Sequence, residues 1–236
     1  MQVINDKLMC GIRIICTQDD FAVNDISLIT SVTIYRWSLD ETKHQIGNIA
    51  ISNAADLSFE AYDYYTTSGT EYYYQCIPIL NGVDGVGTVS MAIKCEFDDV
   101  FIGNLHEQYV CRLNAKCTRA THYNMNYVQT LYSSHPHTVR NGNQKYATGT
   151  MAGIFLGFDK ETCSFDFENA SRYNKKLLDF LTDGVPKVIK TPNGHIWQVQ
   201  IDDEIKEEDV DGRGVVEIEF NWTEIAAPPE YGVVKV

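Results

Sequence analysis

The feature that most constrains the fold is a two-residue period of apolar side chains in short segments. The clearest case is residues 216–222, where apolar and polar side chains alternate without interruption. Successive side chains of a strand point to opposite faces, so this pattern indicates a strand with one buried face. Turn-forming residues recur about every 8–12 residues through the first hundred positions. The sequence therefore predicts a mainly β protein with antiparallel, sandwich-like sheets.

One segment has the period of an α-helix. Over residues 171–182 the apolar side chains recur at spacings of four, one and three, which places them on one helix face. Gly184 and Pro186 follow and are predicted to end the helix. The predicted core of the C-terminal half combines this face with the inward positions of two strands: Tyr173, Leu177, Leu178, Leu181, Trp197, Val199, Ile218, Phe220 and Trp222.

The chain has 236 residues, which accommodates two domains of ordinary size. Short tyrosine-rich strands dominate the first part, and the character of the sequence changes near Asp98. We therefore predict two β-sandwich-like domains, residues 1–99 and residues 100–236. The second is expected to carry the α-helix at about 171–182, and residues 121–137 are expected to form a long loop or irregular connection.

A tyrosine-rich stretch in the first part resembles a known domain family. Residues 59–79 read Phe-Glu-Ala-Tyr-Asp-Tyr-Tyr-Thr-Thr-Ser-Gly-Thr-Glu-Tyr-Tyr-Tyr-Gln-Cys-Ile-Pro-Ile. An aromatic-Asp strand, a Gly-Thr turn and a Tyr-x-Tyr strand in this order resemble the later half of a fibronectin type III domain. The match extends over roughly residues 28–97, and it implies a β-sandwich there.

Four motifs, taken in order, carry a second resemblance over roughly residues 105–226. They are Arg140-Asn-Gly-Asn-x-Lys-Tyr, Leu177-Leu-Asp-Phe-Leu-Thr-Asp-Gly-Val-Pro-Lys-Val-Ile-Lys, Asn193-Gly-His-Ile-Trp-Gln-Val and Val216-Glu-Ile-Glu-Phe-Asn-Trp-Thr-Glu-Ile. Together they resemble tail, distal-tail or baseplate structural proteins of tailed bacteriophages. The resemblance implies a non-enzymatic virion subunit of the tail, made in the host cytoplasm. It also implies contact with other tail proteins and a homo-oligomeric ring, with a hexamer as the first expectation.

The charge of the chain limits its partners. A formal net charge of −13 opposes binding to nucleic acid, because that affinity comes mainly from basic side chains that neutralise phosphates. No apolar run approaches the roughly 20 residues that span a bilayer, so no membrane insertion is expected. Two lysines precede an acidic run, and a basic patch on one copy could meet the acidic loop of another. The alternative, that both regions are simply solvated, stays open. The candidate interface residues are Lys187, Lys190, Asp202, Asp203, Glu207, Glu208 and Asp209.

Metal and catalytic chemistry find little support. The spacings of Cys111, Cys117, His122, His135 and His137 match no usual zinc site, and the acidic run lacks the ordered pattern of a calcium loop. The seven cysteines are odd in number and scattered, so they are predicted to be small buried residues. No nucleophile motif or phosphate-binding loop is present. The sequence predicts no enzyme activity, no metal and no cofactor.

Two other functions remain open. Tyrosine clusters at 62–65 and 72–74 could stack against sugars, which makes a carbohydrate-binding or host-surface-binding protein the first alternative. Tyrosines on adjacent strands more often pack in the core. A tail tube or head-tail connector component is the second alternative.

Overall fold

The computed structural model describes residues 1–22, 26–123, 125–139, 142–160, 162–210, 214–229 and 232–235, without the side chain of Asp203. Sequence predictions that involve Arg140, Asn141, Asp211 or the Asp203 side chain lie outside the described residues. None of the helices in the described ranges is long and apolar enough to cross a membrane.

Strands dominate the chain. The strands up to residue 103 are β1 (Gln2–Asp6), β2 (Gly11–Cys16), β3 (Ile29–Ser38), β4 (His44–Ala50), β5 (Phe59–Asp63), β6 (Glu71–Leu80), β7 (Val83–Asp84), β8 (Thr88–Val89), β9 (Ile93–Lys94) and β10 (Val100–Gly103). The later strands are β11 (Gln108–Tyr123), β12 (Asn126–Val128), β13 (His137–Val139), β14 (Lys145–Phe155), β15 (Gly157–Asp159), β16 (Ser164–Asp166), β17 (Lys187–Thr191), β18 (His195–Asp209), β19 (Val216–Ala226) and β20 (Val233–Lys235).

The described residues contain one α-helix, α1 (Ala170–Leu181), besides short 3-10 helices at Lys7–Met9, Gln18–Asp20, Ile26–Leu28 and Ala54–Leu57. The predictions of a mainly β fold and of a single α-helix are confirmed, and the helix begins and ends within one residue of the predicted bounds. Gly184 adopts a positive φ of 74° just after the helix, a conformation that glycine adopts without a steric penalty.

Contacts divide the chain into two compact units. Unit 1 comprises residues 1–112, 187–198 and 227–236, and unit 2 comprises residues 113–186 and 199–226. Both units therefore draw on separate parts of the sequence. The predicted division into consecutive domains, 1–99 and 100–236, stays a prediction about segments that could fold alone.

Unit 1 contains two antiparallel sheets. One has the order β1-β2-β5-β20, and the other has the order β4-β3-β6-β7, with β8 and β9 also paired to β6. The first, second and fifth strands thus share one sheet, while the third, fourth and sixth share the other. Immunoglobulin-like sandwiches divide their strands between two sheets in this alternating way. The fibronectin type III assignment stays a prediction.

The core of unit 1 joins the inner faces of these sheets. Ile12 and Ile14 of β2 belong to the same buried cluster as Ile34 of β3 and Tyr74 of β6. Along β6 buried and half-buried residues alternate, as a period of two requires. Tyr72, at the start of β6, accepts a hydrogen bond on its hydroxyl from the backbone N–H of Thr67 at 3.0 Å. This contact has the form of the tyrosine corner of immunoglobulin-like sandwiches.

In unit 2, β14 and β19 pair with a continuous register, from Thr148 opposite Thr223 to Ile154 opposite Glu217. Trp222 of β19 is fully buried and packs where Gly149 leaves room, since a Cβ on Gly149 would lie 2.5 Å from the indole ring. The short strands form two further hairpins, β12 with β13 and β15 with β16. Within unit 2 the strands follow the sheet order β11-β14-β19-β18, with the parts of β11 and β18 that belong to this unit.

The helix buries a face slightly rotated from the predicted one. Leu177 and Leu181 are buried, together with Ala170, Asn174 and Phe180. Tyr173 and Leu178, both assigned to the core from the sequence, are only half-buried and lie at the edges of this face. The reason is that the buried positions are spaced by four, three and four residues from Ala170 to Leu181, which centres the face on Asn174 and Leu177. The predicted strand residues Trp197, Val199, Ile218, Phe220 and Trp222 are buried.

Candidate assembly surface

The two lysines predicted to form a basic surface patch lie in the interior of unit 1. Lys187 and Lys190 have no exposed surface. The Lys190 ammonium donates to the backbone carbonyl of Cys10 and lies 4.8 Å and 4.9 Å from the ring centroids of Phe97 and Phe101. Burial lowers the pKa of Lys190 to about 8. The predicted basic patch is therefore wrong, because neither side chain reaches the surface to meet another copy.

A second buried charge in unit 1 is held by an ion pair and hydrogen bonds. Arg36 of β3 donates to both carboxylate oxygens of Asp63 of β5, at 2.9 and 3.1 Å, and to the backbone carbonyl of Tyr65 at 3.0 Å. Asp63 also accepts from the Tyr74 hydroxyl at 3.0 Å. Burial, reinforced by the Asp63 charge, raises the pKa of Tyr74 well above its ordinary value. The cluster connects the two sheets of unit 1, which is a structural role.

The tyrosine clusters that favoured sugar binding are mostly core residues. Tyr62, Tyr64 and Tyr65 are buried, and so are Tyr72 and Tyr74. Tyr73 is half-buried and stacks on Trp37 of the neighbouring strand, with ring centroids 5.6 Å apart. Tyr73 is therefore the tyrosine of these clusters that stays partly exposed, next to the half-buried Trp37.

The cysteines and histidines do not form a metal centre. The described residues contain no group of three or more His, Cys, Asp or Glu side chains placed to hold a metal ion. His122 instead stacks on Tyr146, with ring centroids 5.2 Å apart. All seven cysteines are free, and five are buried, whereas Cys117 is half-buried. Cys163 is exposed, so the prediction of burial is wrong for that residue.

The acidic run lies on the surface of unit 2, but it is a strand and not the predicted loop. β18 continues to Asp209, and Asp202, Glu207, Glu208 and Asp209 are exposed. The strand gains partners from β19, where Thr223 donates to Asp202 at 3.3 Å and Glu219 forms an ion pair with Lys206 at 3.1 Å. Both ion-pairing side chains are about half exposed, so the pair adds little stability.

An extended arm, residues 114–145, is the most exposed part of unit 2. The sequence predicted a loop or irregular connection over 121–137; residues 129–136 form such a connection, whereas residues 121–123, 126–128 and 137 are strand, where the prediction is wrong. β11 continues to Tyr123 because its last residues bond to β14: Thr150 N–H donates to the Thr118 hydroxyl at 3.3 Å, and His122 lies 2.8 Å from the Thr148 hydroxyl. Beyond Tyr123, β12 and β13 pair as a hairpin.

Large apolar side chains on this arm are uncovered. Leu131 and Tyr132, in the turn between β12 and β13, are 96% and 101% exposed. Five others on the arm are also exposed: Tyr123, Met125, Tyr127, Val128 and Val139. Monomeric proteins rarely expose contiguous apolar patches larger than roughly a few hundred Å², and such large patches mark interaction sites.

The charge pattern around the arm is a signal that reasoning from hydrophobic periods misses. Residues 108–158 contain no Asp or Glu and five basic side chains, in a chain of net charge −13. Counting acidic residues in windows along the sequence would have found this segment. The arm therefore combines exposed apolar surface with positive charge, whereas the strand pair β18–β19 is acidic.

Comparison with known proteins leaves the family open. No family model matches the sequence, and no curated protein matches it. Among the solved structures that match is a chain from the virion of a native gene transfer agent particle. It is 13% identical, with a TM-score of 0.34, and the match covers 58% of this chain and 95% of that one. Another chain comes from the tail of an empty gene transfer agent particle, with 14% identity, a TM-score of 0.30 and coverage of 50% and 81%. Both TM-scores lie below 0.5, so these likenesses define neither the fold nor the function of this chain.

Proposed function

We propose that this protein is a structural, non-enzymatic subunit of the tail or baseplate of a tailed bacteriophage or phage-like particle. It works by ring-like oligomerisation and by contact with other tail proteins. Its place of action is the virion, and a hexamer is the first expectation. The assignment to a phage tail and the expected hexamer rest on the motifs over residues 105–226 that resemble phage tail proteins.

The observation that carries the proposal is the arm. Its apolar side chains stay in water in the isolated chain, and covering one Leu or Tyr side chain gains about 1.5–3 kcal/mol. Several such residues lie on a short ribbon, where they provide apolar anchors for contact with another subunit. The charged groups buried in unit 1 are engaged in structural contacts, which fits a protein that acts through its surface.

Size measurement and imaging test the proposal. Multi-angle light scattering of the purified full chain should give one discrete oligomer, and negative-stain electron microscopy should show closed rings. A chain that stays monomeric at every concentration, alone and with the other proteins of its particle, would contradict the proposal.

Binding to a carbohydrate or host surface is the second candidate. The specific observation in its favour is the stacked pair of Trp37 and Tyr73, both half-buried, with the Lys43 ammonium 5.9 Å from the Trp37 ring centroid. A glycan-array screen of the wild type and of Trp37→Ala tests it. Saturable binding that the variant loses would establish this role, and a blank array would exclude it for the glycans displayed.

A tail tube or head-tail connector subunit is the remaining alternative. Both would also oligomerise, so only the position in an assembled particle separates them from a baseplate subunit. Cryo-electron microscopy of the particle, with the density of this chain identified by its arm, decides between these positions.

A further inference from the structure

The arm of unit 2 carries positive charge that the rest of the chain lacks. Residues 114–145 contain four basic and no acidic residues, a net charge of +4, so the remaining residues together carry −17. Lys116 and Lys145 are exposed at the base of the arm, and the uncovered Leu131 and Tyr132 lie at its tip. Whatever covers this arm must therefore offer negative charge near an apolar surface.

The chain itself contains a surface of matching character. Residues 199–226 have ten acidic and two basic side chains, a net charge of −8. On β18, Glu204, Glu207, Glu208 and Asp209 are exposed, and Val210, next to them, is an exposed apolar residue. One of the two basic side chains, Lys206, is already paired with Glu219. The acidic strand thus keeps a large excess of negative charge for an external partner.

We propose that the arm of one copy docks on the acidic outer surface of β18 in a second copy. This inference rests on the proposed function and names the partner of the arm. The two surfaces belong to different parts of the chain, so the contact is heterologous, and each copy still has one surface of each kind free. Repetition of such a contact closes a ring or extends a filament, depending on the rotation between copies.

A second copy fits the arm better than nucleic acid does. DNA would meet the four basic residues of the arm but would also be repelled by the −17 carried elsewhere in the chain. A second copy turns that same negative charge into attraction. It also offers apolar surface for Leu131 and Tyr132, which a phosphate backbone does not.

Charge reversal on each side, followed by recombination, tests the docking. The arm variant is Lys116→Glu with Lys145→Glu, and the strand variant is Glu204→Lys with Glu208→Lys, two exposed positions on the outward face of β18. We expect each to weaken self-association of the full chain at least tenfold in light scattering at about 50 mM salt. We expect the chain that carries both pairs of changes to recover most of the association, because attraction is restored with the signs exchanged. The wild type itself should dissociate as salt rises to about 500 mM.

Matched controls separate docking from a general effect of charge. Lys175→Glu with Lys176→Glu makes the same change in net charge as the arm variant, but on the exposed side of α1. It should leave association unchanged. Unaltered circular dichroism, and an unaltered melting temperature measured at high salt where the wild type is also dissociated, show that each variant folds.

The outcomes distinguish the inference from the proposed function. A wild type that forms discrete oligomers, with both reversal variants associating equally well, would overturn the docking and leave the structural function standing. A monomeric wild type under all conditions would remove both. A labelled DNA duplex that binds the wild type, and is released by the arm reversal without a change in self-association, would assign the arm to nucleic acid and overturn the docking.

Discussion

The sandwich of unit 1 and the arm of unit 2 treat polar and apolar side chains in opposite ways. Unit 1 places charged groups in its interior, where Arg36, Asp63 and Lys190 each have a specific partner. The arm places Leu131 and Tyr132 fully in water. The buried charged groups of unit 1 have their partners within the chain, whereas the chain leaves the apolar side chains at the tip of the arm uncovered. Changes in unit 1 should therefore alter the stability of the monomer, and changes in the arm should alter association.

Removal of the buried carboxylate should have the largest effect on stability. Asp63→Ala leaves the Arg36 guanidinium buried without its counter-charge and deprives the Tyr74 hydroxyl of its acceptor. We expect a loss of about 3–5 kcal/mol in the free energy of unfolding, measured by urea denaturation. Glu60→Ala is the matched control, because it removes a carboxylate from the same strand that pairs with Arg13 at the surface, and it should cost at most about 1 kcal/mol. Equal losses in the free energy of unfolding for the two variants would show that burial of the carboxylate does not determine how much it stabilises the fold.

Neighbouring leucines of α1 provide the next largest difference. Leu177 is fully buried, and Leu178 is half-buried at the edge of the helix face. Leu177→Ala should cost about 2–5 kcal/mol because it leaves a cavity in the core of unit 2. Leu178→Ala should cost clearly less, since water already reaches part of its side chain. If Leu178→Ala lowered the free energy of unfolding more than Leu177→Ala in chemical denaturation, the helix face predicted from the sequence would be supported and the face described above contradicted.

The lowered pKa of Lys190 should make the free energy of unfolding depend on pH. Its pKa is about 8 in the folded chain and near the ordinary 10.5 in the unfolded chain, so between these values the unfolded state binds more protons. The free energy of unfolding should then rise with pH from about 8, by at most about 1.4 kcal/mol per pH unit. Burial raises the pKa of the thiols of Cys10, Cys95 and Cys117, and the Cys16 contact together with burial raises that of Cys76, so these groups oppose the rise as the pH approaches the ordinary 9.0 of a thiol. The contribution of Lys190 is therefore measured as a difference from a variant that lacks its ammonium.

Lys190→Met provides the control for that titration. The variant keeps an aliphatic side chain over Phe97 and Phe101 and removes the ionisable group. The free energy of unfolding of the wild type, relative to that of the variant, should rise between pH 8 and 9 in urea titrations. Parallel curves for the two proteins would assign the pH dependence to other groups.

The places where the sequence predicted the structure share a physical cause. Periods of two and of 3.6 identify β6, β19 and α1, because those elements bury one face against the rest of their own unit. Lys187 and Lys190 escape this reasoning. All five residues of β17 are buried, so the strand shows no alternation, and a lysine in such a strand is read as exposed unless its tertiary partners are known.

The arm escapes sequence reasoning for the opposite cause. An apolar period arises when a segment packs on its own chain, and residues 121–139 pack on little of it. Leu131 and Tyr132 therefore appear in the sequence as scattered apolar residues in a polar loop. Charge was the better guide, because the absence of acidic residues from 108 to 158 does not depend on packing within the monomer.

The arm tip should give the smallest effect on stability. Leu131→Ser with Tyr132→Ser removes side chains that make little contact within the chain, so the free energy of unfolding should change by no more than about 0.5 kcal/mol. The measurement must be made on dissociated protein, at low concentration and high salt, because association would itself stabilise the folded state. The same variant should lose most of its self-association in light scattering at low salt. If it instead unfolded much more easily as a monomer, the tip would be part of the core of unit 2, and the distinction between a self-contained sandwich and an arm that requires a partner would fail.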